Sequence, residues 1–173
     1  MLADETMGAE RQLDPESLGD HIDRLYRAAR SLTGSREEAE DLVQETFARV
    51  LQKPRLLRND DDLGYLLRVL RNTFISTRRT AARRPQIGAS PEVLEFVEDR
   101  AATQPLTQLE LAEVYSAISE LPPDFRDAVT AIDVLGLSYR EAARALRVRE
   151  ATITTRLHRG RQRIARRLSG EDA

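Results

Sequence analysis

Three groups of side chains have the types and spacing for specific binding chemistry. On the last helical segment, Thr152, Thr155, Arg156, Arg159 and Arg163 share one face when residues are turned by about 100° each. Arginine presents a fork of donors that fits guanine or phosphate, and a threonine methyl can touch thymine. Residues nearest the helix N-terminus are placed to reach bases, and the later arginines to meet phosphates. On an earlier segment Arg68, Asn72, Ser76 and Arg79 recur at +4, +4 and +3, flanked by Arg71 and Arg78. Asn72 and Ser76 are small polar side chains suited to base edges, paired or single-stranded. Asparagine is a poor helix former, so its place in mid-helix asks for a reason. A third face carries Glu37, Asp41, Gln44 and Glu45, with Glu38 beside them. Acids in a first helical turn complement the helix dipole. Asp41 and Glu45 lie beyond that turn, and a basic partner surface is their functional reading.

These faces require helices, and the apolar spacing supplies them. Leu18, Ile22, Leu25, Ala29 and Leu32 form one stripe, ended by Gly34. Ser35 to Glu38 reads as a capping box opening a second helix, which Pro54 stops. Its stripe is Ala39, Leu42, Val43, Phe47, Val50 and Leu51. After a loop from Arg55 to Asp61, Asp62 is expected to cap a third helix running to about Thr80, with Leu63, Leu66, Leu67, Leu70 and Phe74 inward. Residues 81–104 break the periodicity with prolines and acids and read as a linker, with a transient helix at 92–99.

A second helical set starts near Leu106. Thr107 to Glu110 can cap a helix to Leu121; Pro122-Pro123 then restarts the chain for a helix to Leu135, ended by Gly136. Ser138 to Glu141 is another capping box and opens a short helix to Leu146. A three-residue turn around Val148 leads to a long basic helix over about 150–168, with the stripe Ile153, Leu157, Gly160, Ile164 and Leu168. Short helix, tight turn and long helix is the form of a helix-turn-helix, whose second helix enters the major groove. A basic surface helix would carry the same arginines. No run alternates apolar and polar residues, so no strand is expected. The fold reads as all-α: two small helical bundles joined by a flexible linker, the second containing the helix-turn-helix. The expected divisions are a flexible arm (1–17), a first bundle (18–84), an acidic linker (85–105), a second bundle (106–169) and a tail (170–173).

Composition narrows the function. The 173 residues allow one ordinary domain or two small ones. The absence of cysteine excludes a disulfide scaffold, thiol catalysis and a Cys-ligated zinc site. His21 and His158 are the only histidines, so no metal site is expected. No nucleophile-elbow motif or Gly-rich phosphate loop occurs; no catalytic residue and no cofactor is expected, and the chain does not read as an enzyme. No apolar run approaches the roughly 18 residues of a membrane span, and no signal pattern opens the chain. A cytoplasmic protein with no membrane contact of its own follows as the expectation. The net charge of −2 disfavours a generic basic nucleic-acid binder. Resolved along the chain, that charge changes meaning. Residues 68–84 hold six arginines and no acid, 85–136 hold ten acids and two arginines, and 137–168 hold ten arginines and two glutamates. Two arginine-rich segments, far apart in sequence, can each grip phosphate.

Three motifs together resemble one family. Glu38-Ala-Glu-Asp-Leu-Val-Gln-Glu-Thr-Phe47 resembles the core-polymerase-binding signature of bacterial extracytoplasmic-function (ECF) sigma factors. Tyr65-Leu-Leu-Arg-Val-Leu-Arg-Asn-Thr-Phe-Ile75, followed by Arg78-Arg79, resembles the family's −10-melting segment. Leu121-Pro-Pro, Gly136-Leu-Ser-Tyr-Arg-Glu-Ala-Ala143 and Thr152-Ile-Thr-Thr-Arg-Leu-His-Arg159 resemble its −35-reading domain. The resemblance covers about residues 18–168. It implies an alternative sigma factor that binds core RNA polymerase and promoter DNA and is controlled by an anti-sigma factor. It implies core-polymerase contacts from Glu38, Asp41, Gln44 and Glu45. It implies −10 contacts from Arg58, Asn59, Arg68, Arg71, Asn72, Ser76, Arg78 and Arg79, with the loop around 58–62 near a flipped-out base. It implies −35 contacts from Thr152, Thr155, Arg156, Arg159 and Arg163. The sequence departs from the family's pattern at Ser76, where many relatives carry Asp, and at Arg147, where the turn often has Gly. A stand-alone helix-turn-helix regulator is the alternative; it would not need the acidic face or the Asn72/Ser76 face.

Overall fold

The computed structural model describes residues 10–53, 55–58, 61–83 and 107–170. The expected linker (85–105), Asn59, residues 1–9 of the arm and residues 171–173 of the tail lie outside the described residues. The elements are β1 (Glu10–Gln12), a 3-10 helix (Glu16–His21), α1 (Ile22–Thr33), α2 (Arg36–Gln52), β2 (Leu56–Arg58) and α3 (Asp62–Ala81) in the first half. The second half holds α4 (Gln108–Ser119), α5 (Pro123–Val129), a π-helical turn (Thr130–Val134), α6 (Tyr139–Leu146) and α7 (Glu150–Ser169).

Local signals explain most helix ends. Thr107 accepts a bond from the Glu110 N–H while Glu110 takes the Thr107 N–H, a complete capping box; Ser138 and Glu141 form the second. The Ser138 hydroxyl and N–H bonds hold the Glu141 carboxyl below the usual glutamate range. The stabilisation is therefore complete above the usual range and is lost as pH falls below it through the lowered folded-state value. Two caps differ from expectation. Ser35 accepts from the Glu38 N–H, but the Glu38 carboxylate leans instead toward Arg78 on α3, at 3.7 Å. Asp61, not Asp62, stands at the N-cap of α3 and makes no side-chain cap bond; Asp62 is the first helical residue.

The apolar stripes bury as their spacing requires, except at two helix ends. Leu51 stays 52% exposed and Leu168 48%, because each lies in a last turn that runs past its neighbours. No strand signal was visible in sequence, yet β1 pairs antiparallel with β2 in a three-residue register, Arg11 opposite Leu57. Pairs that short carry no readable alternation.

The two helical regions dock on one another. α4 and the π-turn pack on α1, and α6 packs on α3. One buried cluster runs through both, from Leu25, Leu32, Leu66 and Leu70 to Ala131, Leu135, Ala142 and Ile153. Gly34 marks the closest approach. It ends α1 in the left-handed region at φ 72°, and a Cβ there would stand 2.5 Å from the Ser119 Oγ of α4. A second cluster of Ile118, Leu121, Val129 and Leu157 lies between α4, α5 and α7. Gly160 lets α7 close on α5, since a Cβ would meet Val129 at 2.7 Å.

The turn between α6 and α7 stores local strain. Arg147 adopts the left-handed conformation at φ 56°, the one described non-glycine residue to do so. An L-residue pays about 1 kcal/mol or more there, whereas glycine does not. Arg147→Gly is expected to raise unfolding free energy by about 1 kcal/mol, read by thermal or denaturant melting. A destabilised glycine variant would mean that Arg147 contributes more through its side chain than its backbone loses.

Candidate nucleic-acid interface

The two arginine-rich faces sit on α3 and α7, and the acidic face on α2. On α3, Asn72, Ser76, Arg78 and Arg79 are exposed. Arg68 and Arg71 are only part-exposed, because the second half covers that end of the face. Arg68 lies 3.9 Å from Asp61. Arg71 Nε donates to an Asp127 carboxylate oxygen on α5. Arg58 lies in β2.

Around that pair is a polar seam between the halves. The Arg126 guanidinium stacks 4.9 Å from the Phe74 ring, and Arg78 lies 5.1 Å from the same ring. Burial pushes the Arg126 pKa down, with neighbouring Asp127 opposing that shift. Ser31 on α1 and Thr130 of the π-turn share a buried hydroxyl bond of 2.8 Å. Arg30 stacks 5.0 Å from Tyr115. Nearby, burial raises the Asp61 pKa, against the fields of Arg144 and Arg68; the influence of Arg144 and Glu141 reflects how closely α6 covers the start of α3.

On α7, Thr155, Arg159 and Arg163 are exposed, while Thr152 and Arg156 are partly covered. Arg156 pairs with Asp124 at 2.7 Å and Arg163 stacks on Phe125 at 5.2 Å. Arg161 is held by two bonds to Asp133, which raise its pKa, and Arg167 pairs with Glu120 at 2.8 Å. Sequence reasoning missed these acids as partners. Glu120, Asp124, Asp127 and Asp133 all belong to the acidic stretch between the two basic segments, so their excess was visible but not their pairing.

On α2, Glu38, Asp41 and Glu45 are exposed and Gln44 is partly covered. Glu45 is bridged to Arg49 at 2.8 Å, one turn on. The structure thus brings Glu38 to the α3 face through Arg78, and Arg71 to α5 through Asp127. Two of the α7 group, Arg156 and Arg163, are likewise brought to α5, through Asp124 and Phe125.

Two helical regions bearing these faces, in this order, define a class. The family model described as sigma-70 region 2 matches residues 18–84, and sigma-70 region 4 matches residues 111–164. The ECF RNA polymerase sigma factor SigE of Mycolicibacterium smegmatis is 38% identical over 152 residues, covering 86% of this chain and 59% of that protein. The ECF RNA polymerase sigma factor SigM of Bacillus subtilis is 31% identical over 145 residues, covering 83% of this chain and 88% of that protein. The sigma factor RpoE of Bartonella quintana, solved in complex with the anti-sigma factor NepR, superposes with a TM-score of 0.68 at 26% identity, over 91% of this chain and 97% of that one. The chain belongs to the ECF RNA polymerase sigma factors.

The seam makes a quantitative expectation. In a double-mutant cycle of Arg71→Ala and Asp127→Ala, the two changes should couple by roughly 0.5–3 kcal/mol in denaturant unfolding. Simple additivity would show that the pair contributes nothing to docking.

Proposed function

We propose that this chain is an alternative sigma factor. It binds core RNA polymerase, recognises −10 and −35 promoter elements and starts transcription of a specific regulon. It acts in the cytoplasm as a specificity subunit and not as an enzyme. The observation that carries the reading is the sequence of three faces on one chain: acidic on α2, polar and arginine-rich on α3, arginine-rich on α7. A repressor that binds one operator has no use for the first two.

Each face has a physical task in this reading. Asp41, Gln44, Glu45 and Glu38 meet a basic surface of core polymerase. Asn72 and Ser76 contact bases of the −10 element, with Arg58, Asn59, Arg68, Arg71, Arg78 and Arg79 on nearby backbone or base edges. Binding energy from those contacts favours the opened strand, since unpaired bases expose edges that a duplex hides. Thr152, Thr155 and Arg156 read the −35 major groove and Arg159 and Arg163 hold its phosphates, fixing register.

The reading requires the two halves to part. Elements centred near −10 and −35 lie about 25 base pairs apart, roughly 85 Å along B-form DNA. A compact chain of this length has a radius of gyration of about 16 Å. The docked arrangement cannot touch both elements at once. It also holds Arg71 against the Asp127 carboxylate, an anion where phosphate would otherwise sit. Docking therefore competes with promoter binding, and core polymerase must stabilise the parted form. The likeness to a sigma factor solved with its anti-sigma factor supports a partner of that kind here, binding the docked form.

Two substitutions test the assignments. Asp41→Arg should weaken binding to core polymerase in a pull-down without altering the melting curve; unchanged affinity would remove the acidic face from the interface. Arg156→Ala should cost about 1–3 kcal/mol on a −35 site, measured with the holoenzyme on selected promoters. An equal loss on random DNA would reassign Arg156 to phosphate.

A further inference from the structure

The three arginines on the outer face of α7 are held in three different ways. Gly160 lets α7 close on α5, and the first turn of α5 then lies along the edge of that face. Two consecutive α5 residues there each take one arginine. The Arg156 Nη2 lies 2.7 Å from an Asp124 carboxylate oxygen. Arg163 stacks 5.2 Å from the centroid of the Phe125 ring. Arg159, between them on the helix, is exposed and has no ion pair among the described residues. The Arg156 side chain is accordingly only 25% exposed, while Asp124 remains 58% exposed.

Stability does not account for the Arg156–Asp124 pair. An ion pair with so exposed a member contributes little to folding. An acid in the first turn of α5 complements the helix dipole, which accounts for its charge and not for its grip on an arginine of another helix. The pair has two consequences for binding. Asp124 engages one Arg156 nitrogen and fixes the guanidinium, leaving other donors of the fork for the two acceptors of a guanine edge. The carboxylate also cancels the local charge, so that Arg156 gains little by approaching a phosphate. A ring stack does neither: Arg163 keeps its full charge, as does Arg159.

We infer that Asp124 is a positioning residue for −35 recognition: its carboxylate holds the Arg156 guanidinium aimed at a base and withholds it from the phosphate backbone. The inference rests on the −35 reading proposed above. Asp124 acts through Arg156, and it sets which arginine of the face reads sequence and which ones grip the backbone.

The test measures binding of holoenzyme, made with the full chain, to promoter duplexes. Their −35 sequence is first selected by the wild-type holoenzyme from a randomised pool. Each −35 base pair is then varied singly, and salt is titrated. Arg156→Ala marks the base pair that Arg156 reads. At that pair Asp124→Asn, which keeps the side chain's size and removes its charge, should reduce discrimination by about tenfold. Affinity for a random duplex should rise, and the slope of log K against log salt should steepen by about one, because Arg156 becomes a phosphate contact. Preference at the other pairs and the melting curve should stay as in the wild type. Asp124→Glu, which retains the carboxylate, should keep more of the discrimination than Asp124→Asn does. Unchanged discrimination and slope in Asp124→Asn overturn the inference. So does an equal loss of affinity on selected and random duplexes, the mark of a merely structural role, and so does a Glu variant as relaxed as the Asn one. If Arg156→Ala leaves preference at every −35 pair intact, the −35 reading of Arg156 has failed and the inference with it. If Arg156→Ala relaxes one pair while Asp124→Asn does not, only the positioning role has failed.

Discussion

The Arg71–Asp127 pair is the charged contact that fixes how the apolar faces of the two halves meet. It ties α3, with its arginine-rich face, to α5, the helix that α7 packs against. Asp127 is almost fully buried, and Arg126 beside it is desolvated enough to lower its pKa. A carboxylate in such a place is tolerated only with cationic partners, and Asp127 has two, Arg71 and, at 3.9 Å, Arg126. The pair therefore specifies one docking geometry. The stack of Arg126 on Phe74 and the Ser31–Thr130 bond add direction to what would otherwise be an apolar contact able to slide.

The net charge of −2 is a matter of composition, and the geometry shows where the opposing charges meet. Acids from the stretch between the basic segments pair with arginines of both, through contacts as close as 2.6 Å. In the proposed reading such pairing lowers attraction for arbitrary DNA, because non-specific affinity scales with the phosphates that unpaired cations can neutralise. Direct ion pairs are the stronger device, since screening by salt weakens distant charges far more than touching ones. Under the proposed function, release of Arg71 requires that DNA and polymerase together outcompete Asp127, which would couple promoter binding to separation of the halves.

Much of this was legible in the sequence. Among the described residues periodicity located the seven α-helices, because amphipathic stripes are written residue by residue, though not the 3-10 turn before α1 or the π-turn after α5, and the complete capping boxes at Thr107 and Ser138 marked two helix starts. The placement of the three polar faces followed from helical geometry alone. What could not be read was whatever links distant residues. Nothing local marks Asp127 as the partner of Arg71, Thr130 as the partner of Ser31, or Gly34 as the point where α4 comes closest. The β1–β2 pair was invisible for a different reason: three residues are too few for an alternating pattern. Arg147 was flagged by residue type, but only the fold shows that it takes the left-handed conformation.

The central claim is that one chain alternates between a docked form sealed by the Arg71–Asp127 seam and a parted form on the promoter. With no native cysteine, the chain accepts two unique spin labels, at Asp23→Cys on α1 and Gln162→Cys on α7, both exposed positions. Double electron–electron resonance should give one narrow, short distance in the free chain. It should give a distance longer by tens of ångströms with core polymerase and promoter DNA. An unchanged distance in the promoter complex, or a broad and long distribution in the free chain, would contradict the account.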